Sequence, residues 1–275
     1  MSFETVLAEA QSQRKLRVWS LIITLFGDAI VPRGGAVSAQ TIQMVLQHFH
    51  IAPGAVRTAF SRLTNDGWVI RERHGRNSFY RLSDTGYEPF ASASERIYAA
   101  PLPSPEDNQL VVAIAPNVLI EGKTLSTDFG LSRLQFFNPD DPQIAKRQSE
   151  GCLILEAEPR SIPEWVYNEI LPQDIVRGFV ELTRQFKNVQ VHTPIDALAL
   201  RTLLIHEWRR LLLRIPIVPN GFLPDNSPLR LCQRQIMTTY ENCMELSENW
   251  LNENGEGPDG PLPAPVKLHR RFQTK

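Results

Sequence analysis

A chain of 275 residues with 42% hydrophobic and 21% charged residues has the composition of a soluble globular protein, long enough for two or three cores. Its net charge is -1, yet Arg14 to Arg81 holds ten Arg or Lys residues against only Asp28, Asp66 and Glu72, so this stretch is +7 and the remainder -8. No apolar run reaches the roughly 18 residues of a membrane span. The apolar LIITLFG after Ser20 is too short for a secretory leader and runs into Asp28, so a cytoplasmic, nucleoid-associated location is expected. Cys152, Cys232 and Cys243 lack metal spacing and are expected as buried free thiols.

In chain order, residues 1–13 read as a loose helical arm. Leu16 to Phe26 predicts a helix with Trp19, Ile22, Ile23 and Phe26 inward. A turn over Pro32 to Gly35 and a short strand near Ala36 and Val37 follow, and Ser38 caps a helix carrying Ile42, Val45, Leu46 and Phe49. Ala52 to Leu63 predicts the next helix, because Val56, Phe60 and Leu63 share one face while Arg57, Thr58, Ser61 and Arg62 lie on or beside the other. Asn65 to Gly67 stop it. Trp68 to Ile70 and Ser78 to Leu82 read as paired strands around the basic RERHGRN, with Gly75 and Asn77 suited to the tip. Helix, helix, exposed helix and basic hairpin make a winged helix-turn-helix, in which such a helix enters the major groove of double-stranded DNA and the hairpin lies on the backbone. The alternative is a set of solvated surface arginines. The local charge of +7 favours DNA.

The first domain is therefore set at 1–88. Residues 89–108 read as linker with a short helix near Ser94 to Tyr98, because PLPSPEDN marks a boundary. Strands at Gln109 to Ala115, Leu131 to Phe137 and Cys152 to Ala157, a surface loop or short helix at Leu119 and Ile120, and helices at Ile162 to Ile170 and Asp174 to Lys187 make 109–193 a small α+β domain. Residues 194–250 read as a helical domain. Its first helix, Leu200 to Leu212, has little polar face, which suits burial in its own subunit or a dimer core. Residues 251–275, rich in Gly, Pro and Glu, read as a poorly ordered tail. The overall class is α+β. There is no nucleophile elbow, phosphate loop, zinc-protease motif or zinc-spaced cysteine pair, so neither catalysis, a cofactor nor a metal is expected. His206 and Glu207 are adjacent on a helix and so do not face each other.

SLIITLFGDAIVPRGG from Ser20, APGAVRTAFSRLTNDGW from Ala52, RERHGRNSFYRLSDTG from Arg71, LLIHEWRR from Leu203 and FLPDNSP from Phe222 resemble the PaaX-type, phenylacetate-degradation repressor family. The resemblance implies a homodimeric, non-enzymatic transcriptional repressor with a winged helix, a ferredoxin-like middle domain and a helical carboxyl-terminal domain. It also implies release from operator DNA by phenylacetyl-coenzyme A or a related acyl-coenzyme A. It places DNA contacts on Arg57, Thr58, Ser61, Arg62, Arg71, Arg73, Arg76 and Tyr80. Its carboxyl-terminal pattern falls on His206, Glu207, Arg209 and Arg210; of these His206, Arg209 and Arg210 are candidates for holding the effector, the competing reading being salt bridges from the two arginines to acids such as Glu169 or Asp174. Here QLVVAIAPNVLIEGK lacks the family's tryptophan-led strand and arginine-rich helix, and RIPIVPNGFLPDNSP replaces its usual run after HEWRR. A DNA-binding scaffold without a small-molecule effector is the competing expectation.

Overall fold

The computed structural model describes residues 1–101, 109–116, 126–129, 132–266 and 268–273. The chain divides into two compact units, one formed by 1–100, 182–212 and 234–275, the other by 101–181 and 213–233.

In the first unit, α1 (Phe3–Gln13) starts at Ser2, whose side chain accepts from the Thr5 N–H, and buries Phe3, Val6, Leu7 and Ala10. It is thus a packed element rather than a loose arm. Its far end is held by an ion pair between Arg14 and Glu207. The next helix, α2 (Val18–Leu25), continues into a π-helical turn over Phe26–Ile30 and a 3-10 turn over Val31–Arg33. β1 (Ala36–Ser38) leads into α3 (Ala39–Gln47), where the Ser38 hydroxyl accepts from the Thr41 N–H as the cap chemistry requires. α4 (Pro53–Asn65) follows, then the hairpin of β2 (Val69–His74) and β3 (Asn77–Leu82). These strands and β1 form an antiparallel sheet in the order β1-β3-β2.

α5 runs unbroken over Asp84–Ile97, where a linker and a shorter helix were expected. Ser83 caps it, and Pro89 lies inside the helix, where it cannot donate the i→i−4 bond of its turn. The unit is built around α9 (Pro194–Leu212), which packs against α1, α2, α3 and α5. Every residue from Ala197 to Trp208 is buried, and the Trp208 indole donates to the Ile97 carbonyl at 3.0 Å. The near absence of a polar face is thereby explained by burial within its own subunit.

The end of the chain corrects the expectation of a loose tail. After α10 (Pro228–Asn254), β8 (Glu256–Gly257) pairs with β9 (Gly260–Pro261), and Leu262, Leu268 and Phe272 are buried. The Val266 N–H donates to the Pro32 carbonyl at 2.8 Å and that of Phe272 to the Tyr98 carbonyl at 2.9 Å. Average composition hides these few anchoring residues, while the prolines lower the entropy lost when the segment docks.

In the second unit, β4 (Leu110–Pro116), β5 (Ser126–Phe129), β6 (Ser132–Phe137) and β7 (Leu153–Ala157) form an antiparallel sheet in the order β5-β6-β4-β7. Val111, Ala113 and Phe137 make its core, with Ile144 of α6 (Gln143–Ser149), Cys152 and Ile154 packed on it. β5 and α6 were not foreseen, because STDF and QIAKRQS carry almost no apolar period. α7 (Glu164–Ile170) and α8 (Gln173–Gln185) follow near the expected positions, the residues of α8 from Leu182 on belonging to the first unit. The loop or short helix expected at Leu119 and Ile120 lies outside the described residues, as does 102–108 of the expected linker. The cysteines are free; Cys232 and Cys243 are buried and Cys152 is half-buried.

Candidate nucleic-acid interface

α4 has a sharp division between its faces. Val56, Ala59, Phe60 and Leu63 are buried, whereas Arg57, Thr58, Ser61, Arg62, Thr64 and Asn65 are exposed. Pro53 at the first helical position supplies a fixed φ, and Ala52 provides no side-chain cap. The Thr58 hydroxyl donates to the Gly54 carbonyl at 3.0 Å. Arg62 lies 3.5 Å from Asp66, an exposed pair worth little in water. The expected helix and its outward residues are therefore where the sequence put them.

In the hairpin the register fixes which side chains share a face. Val69, Arg71 and Arg73 stand opposite Leu82, Tyr80 and Ser78, while Ile70, Glu72 and His74 stand opposite Arg81, Phe79 and Asn77. The first face meets α4, because the Tyr80 ring stacks on Phe60 with centroids 3.9 Å apart. Arg71 and Arg73 thus extend that side of the sheet beyond the point where it packs on α4, and both are exposed. The Arg71 guanidinium donates to the Ser78 hydroxyl at 2.7 Å. On the opposite face Arg81 pairs with Glu72 at 2.8 Å, leaving the acid turned away from the arginines. The tip is the two-residue link Gly75–Arg76, with Gly75 at φ +61° and Arg76 at negative φ, as in a type II′ turn. Arg76 is exposed there.

Tyr80 does not belong with the outward-facing set. It is buried, and its ring joins the hairpin to α4 rather than reaching out. The alternation explains this: Tyr80 shares its face with the packed Val69 and Leu82.

Of the three carboxyl-terminal residues expected at an effector site, His206 and Arg209 lie at the α9–α2 contact. His206 is buried, with its Nδ1 3.3 Å from the Thr24 hydroxyl. Burial, with Arg209 and Arg14 nearby, pulls its pKa down to about 3, so the ring is neutral at pH 7. The Arg209 guanidinium donates to the Ser20 hydroxyl at 2.6 Å and to its carbonyl at 3.1 Å. Arg210 is more open and reaches Glu207 at 3.4 Å. Burial raises the Glu207 carboxyl above its usual range, although Arg14 opposes that shift.

One buried cluster escaped the sequence reading. Asp28, in the π-helical turn, is wholly buried and receives the Tyr98 hydroxyl at 2.7 Å, the Tyr240 hydroxyl at 3.0 Å and Arg271 at 2.7 Å, with Arg201 2.6 Å away. Burial pushes its carboxyl up, but Arg201 and Arg271 outweigh that and hold it below the usual carboxylate range. Arg201 also meets Glu248 at 2.5 Å, and Glu248 holds the buried Arg33 at 2.6 Å. The available signal was an acid at the end of the apolar run LIITLFGDAIV. Among the described residues there is no group of three or more His, Cys, Asp or Glu side chains arranged to hold a metal ion, and no helix long and apolar enough to cross a membrane.

Fold and surface together define a mixed α+β protein that presents a polar helix face and a basic hairpin beside it. Residues 17–86 match the model of the PaaX-like protein family, and residues 173–253 match that of the PaaX-like protein C-terminal domain. The chain is 26% identical over 288 residues to the transcriptional repressor PaaX of Escherichia coli strain K12, covering 92% of this chain and 89% of that one. It also aligns with the solved structure of the uncharacterized protein Rv0674 from Mycobacterium tuberculosis, at 13% identity and a TM-score of 0.43, over 76% of this chain and 89% of that one. The chain belongs to the PaaX family of transcriptional regulators.

Proposed function

We propose that this protein is a sequence-specific DNA-binding repressor whose α1–α5 region acts as a winged helix, with α4 reading the major groove and the β2–β3 hairpin gripping the backbone. The observation that carries this reading is the exposed Arg57, Thr58, Ser61 and Arg62 on one face of α4, with Arg71, Arg73 and Arg76 on the adjoining hairpin. Arginine suits both tasks, through paired bonds to guanine or to phosphate. Likeness to a curated transcriptional repressor supports the direction of regulation. The four-stranded order β5-β6-β4-β7 supports a ferredoxin-like middle domain, because numbering those strands from β4 gives the 4-1-3-2 order read in reverse. A two-fold homodimer would let two α4 helices read an inverted repeat. With α9 buried in its own unit, such a dimer would pair through another surface.

The reading extends to release by an aryl- or acyl-coenzyme A thioester such as phenylacetyl-coenzyme A. Its support is the path from His206 and Arg209 to Thr24 and Ser20 on α2, which itself packs against α4. A ligand that drew Arg209 or Arg210 toward its phosphates would disturb that contact, and it would release DNA only by binding the released state more tightly. Titration calorimetry with phenylacetyl-coenzyme A and free coenzyme A, run with and without bound duplex, tests this. The expected result is thioester binding that weakens when duplex is bound. No thioester binding, with duplex binding intact, would instead select the effector-free scaffold.

A further inference from the structure

We propose that Lys15 and Arg17 form a second contact with DNA backbone phosphates, from the stretch that lies beside the approach to α4. This rests on α4 being the groove-reading helix and adds a contact that the helix and hairpin do not supply. The stretch Arg14–Lys15–Leu16–Arg17 joins α1 to α2, with Arg14 and Arg17 in extended backbone conformations. Side chains of an extended chain alternate. Arg14 turns inward to Glu207 and Leu16 is buried, which leaves Lys15 and Arg17 both exposed.

The position of this stretch matters as much as its charge. Lys15 and Leu16 line a groove of about 320 Å³ together with Gln11 and with Phe49, His50 and Ile51. Those last three residues lead directly into α4. Gln11 fixes the link from the other side by donating to the Phe49 carbonyl at 3.3 Å. Lys15 therefore stands beside the start of α4, whereas the hairpin leaves from the chain beyond its end. α4 has 13 residues, a span of roughly 20 Å at 1.5 Å per residue. Cations beside the start of such a helix and on the hairpin that packs over its Phe60 suit phosphates at separate places along the duplex backbone.

The acids near this stretch are otherwise engaged. Glu9 pairs with Arg184, and Glu4, near the opposite end of α1, meets His50 at 3.1 Å. Neither Lys15 nor Arg17 has an ion-pair partner among the described residues. Both are therefore free to meet a duplex phosphate.

The test uses full-length wild type, Lys15→Ala/Arg17→Ala and Arg57→Ala. Affinity is read by fluorescence anisotropy for a duplex selected by the wild type from a random pool and for an unselected duplex, across a salt series. Each lost phosphate contact lowers the slope of log K against log salt by about 0.9, equivalent to roughly eightfold in affinity between 1 M and 0.1 M salt. The double variant should therefore lose nearly two units of slope and weaken on both duplexes alike, while Lys15→Arg/Arg17→Lys restores both. Both sites are exposed, and an unchanged thermal melt will show that folding is intact. An unchanged slope and affinity, with Arg57→Ala still impaired on the selected duplex, would overturn this contact alone. Loss confined to the selected duplex would also overturn it, by making these residues base readers. A wild type that binds no duplex would remove the underlying DNA-binding reading and this contact with it.

Discussion

Asp28→Asn isolates electrostatics from packing, because the two side chains have nearly the same shape. The Asn oxygen could still accept from Tyr98, Tyr240 and Arg271, but its amide would turn a donor toward the Arg201 Nε, which now lies 2.6 Å from the Asp28 carboxylate. Glu248 would still meet Arg33 and Arg201, while Arg271 would lose the carboxylate charge it now faces. Removing one partner from a buried ion pair costs about 3–5 kcal/mol. For a unit of this size, with about 2–4 °C of Tm per kcal/mol, the expected fall is roughly 6–20 °C. Asp28 also has a lowered folded pKa, so its contribution is present above the ordinary 3.8 and is lost as pH falls through the folded value. Urea unfolding followed by circular dichroism at pH 7 measures the cost directly. Arg271→Gln in the Asp28→Asn background should cost about 1 kcal/mol or more less than in the wild type, because the two groups are coupled. An Asp28→Asn variant within about 1 kcal/mol of wild type, at unchanged m value, would refute the view that this cluster locks the chain end to the π-helical turn.

Three further outcomes are expected. His206 has a folded pKa pulled down to about 3 from 6.5, so the stability it confers is present above pH 6.5 and is lost as pH falls from there toward 3. Stability measured across that range should decline in the wild type and flatten in His206→Asn, after allowance for the opposite trend from the raised Glu207. Tyr80→Ala should cost about 3–5 kcal/mol and weaken DNA binding by loosening the hairpin from α4, whereas Tyr80→Phe should keep both within about 1 kcal/mol. A large loss of DNA affinity in Tyr80→Phe at normal stability would instead give the hydroxyl a direct contact. Arg71→Ala/Arg73→Ala/Arg76→Ala should lower the salt slope by nearly three units, at about 0.9 per phosphate; an unchanged slope would leave the hairpin as a solvated tip.

The elements nearest the proposed interface were legible because local rules decide them. Ser38 caps α3, Val56, Phe60 and Leu63 set the inner face of α4, and Gly75 makes the hairpin turn. Features decided by distant partners were not legible. Nothing local distinguishes Tyr80 from an outward aromatic until the register puts it over Phe60. Asp28 draws its partners from Tyr98, Arg201, Tyr240 and Arg271, which lie at least 70 residues away. The packing of the chain end likewise depends on Leu262, Leu268 and Phe272 meeting surfaces made elsewhere, and a Gly- and Pro-rich average conceals that. Helix α9 was ambiguous for the same reason, since an apolar surface does not name the partner that covers it.

The central claim is that the outward face of α4 reads base sequence. Its most direct test compares wild type with Arg57→Ala on the selected duplex and on unselected duplex at one fixed salt concentration. The variant should lose about 1–3 kcal/mol, or roughly 5- to 150-fold, on the selected duplex and much less on the other. Equal weakening on both would move Arg57 to the DNA backbone, and undiminished binding to the selected duplex would contradict the assignment of α4 as the reading helix.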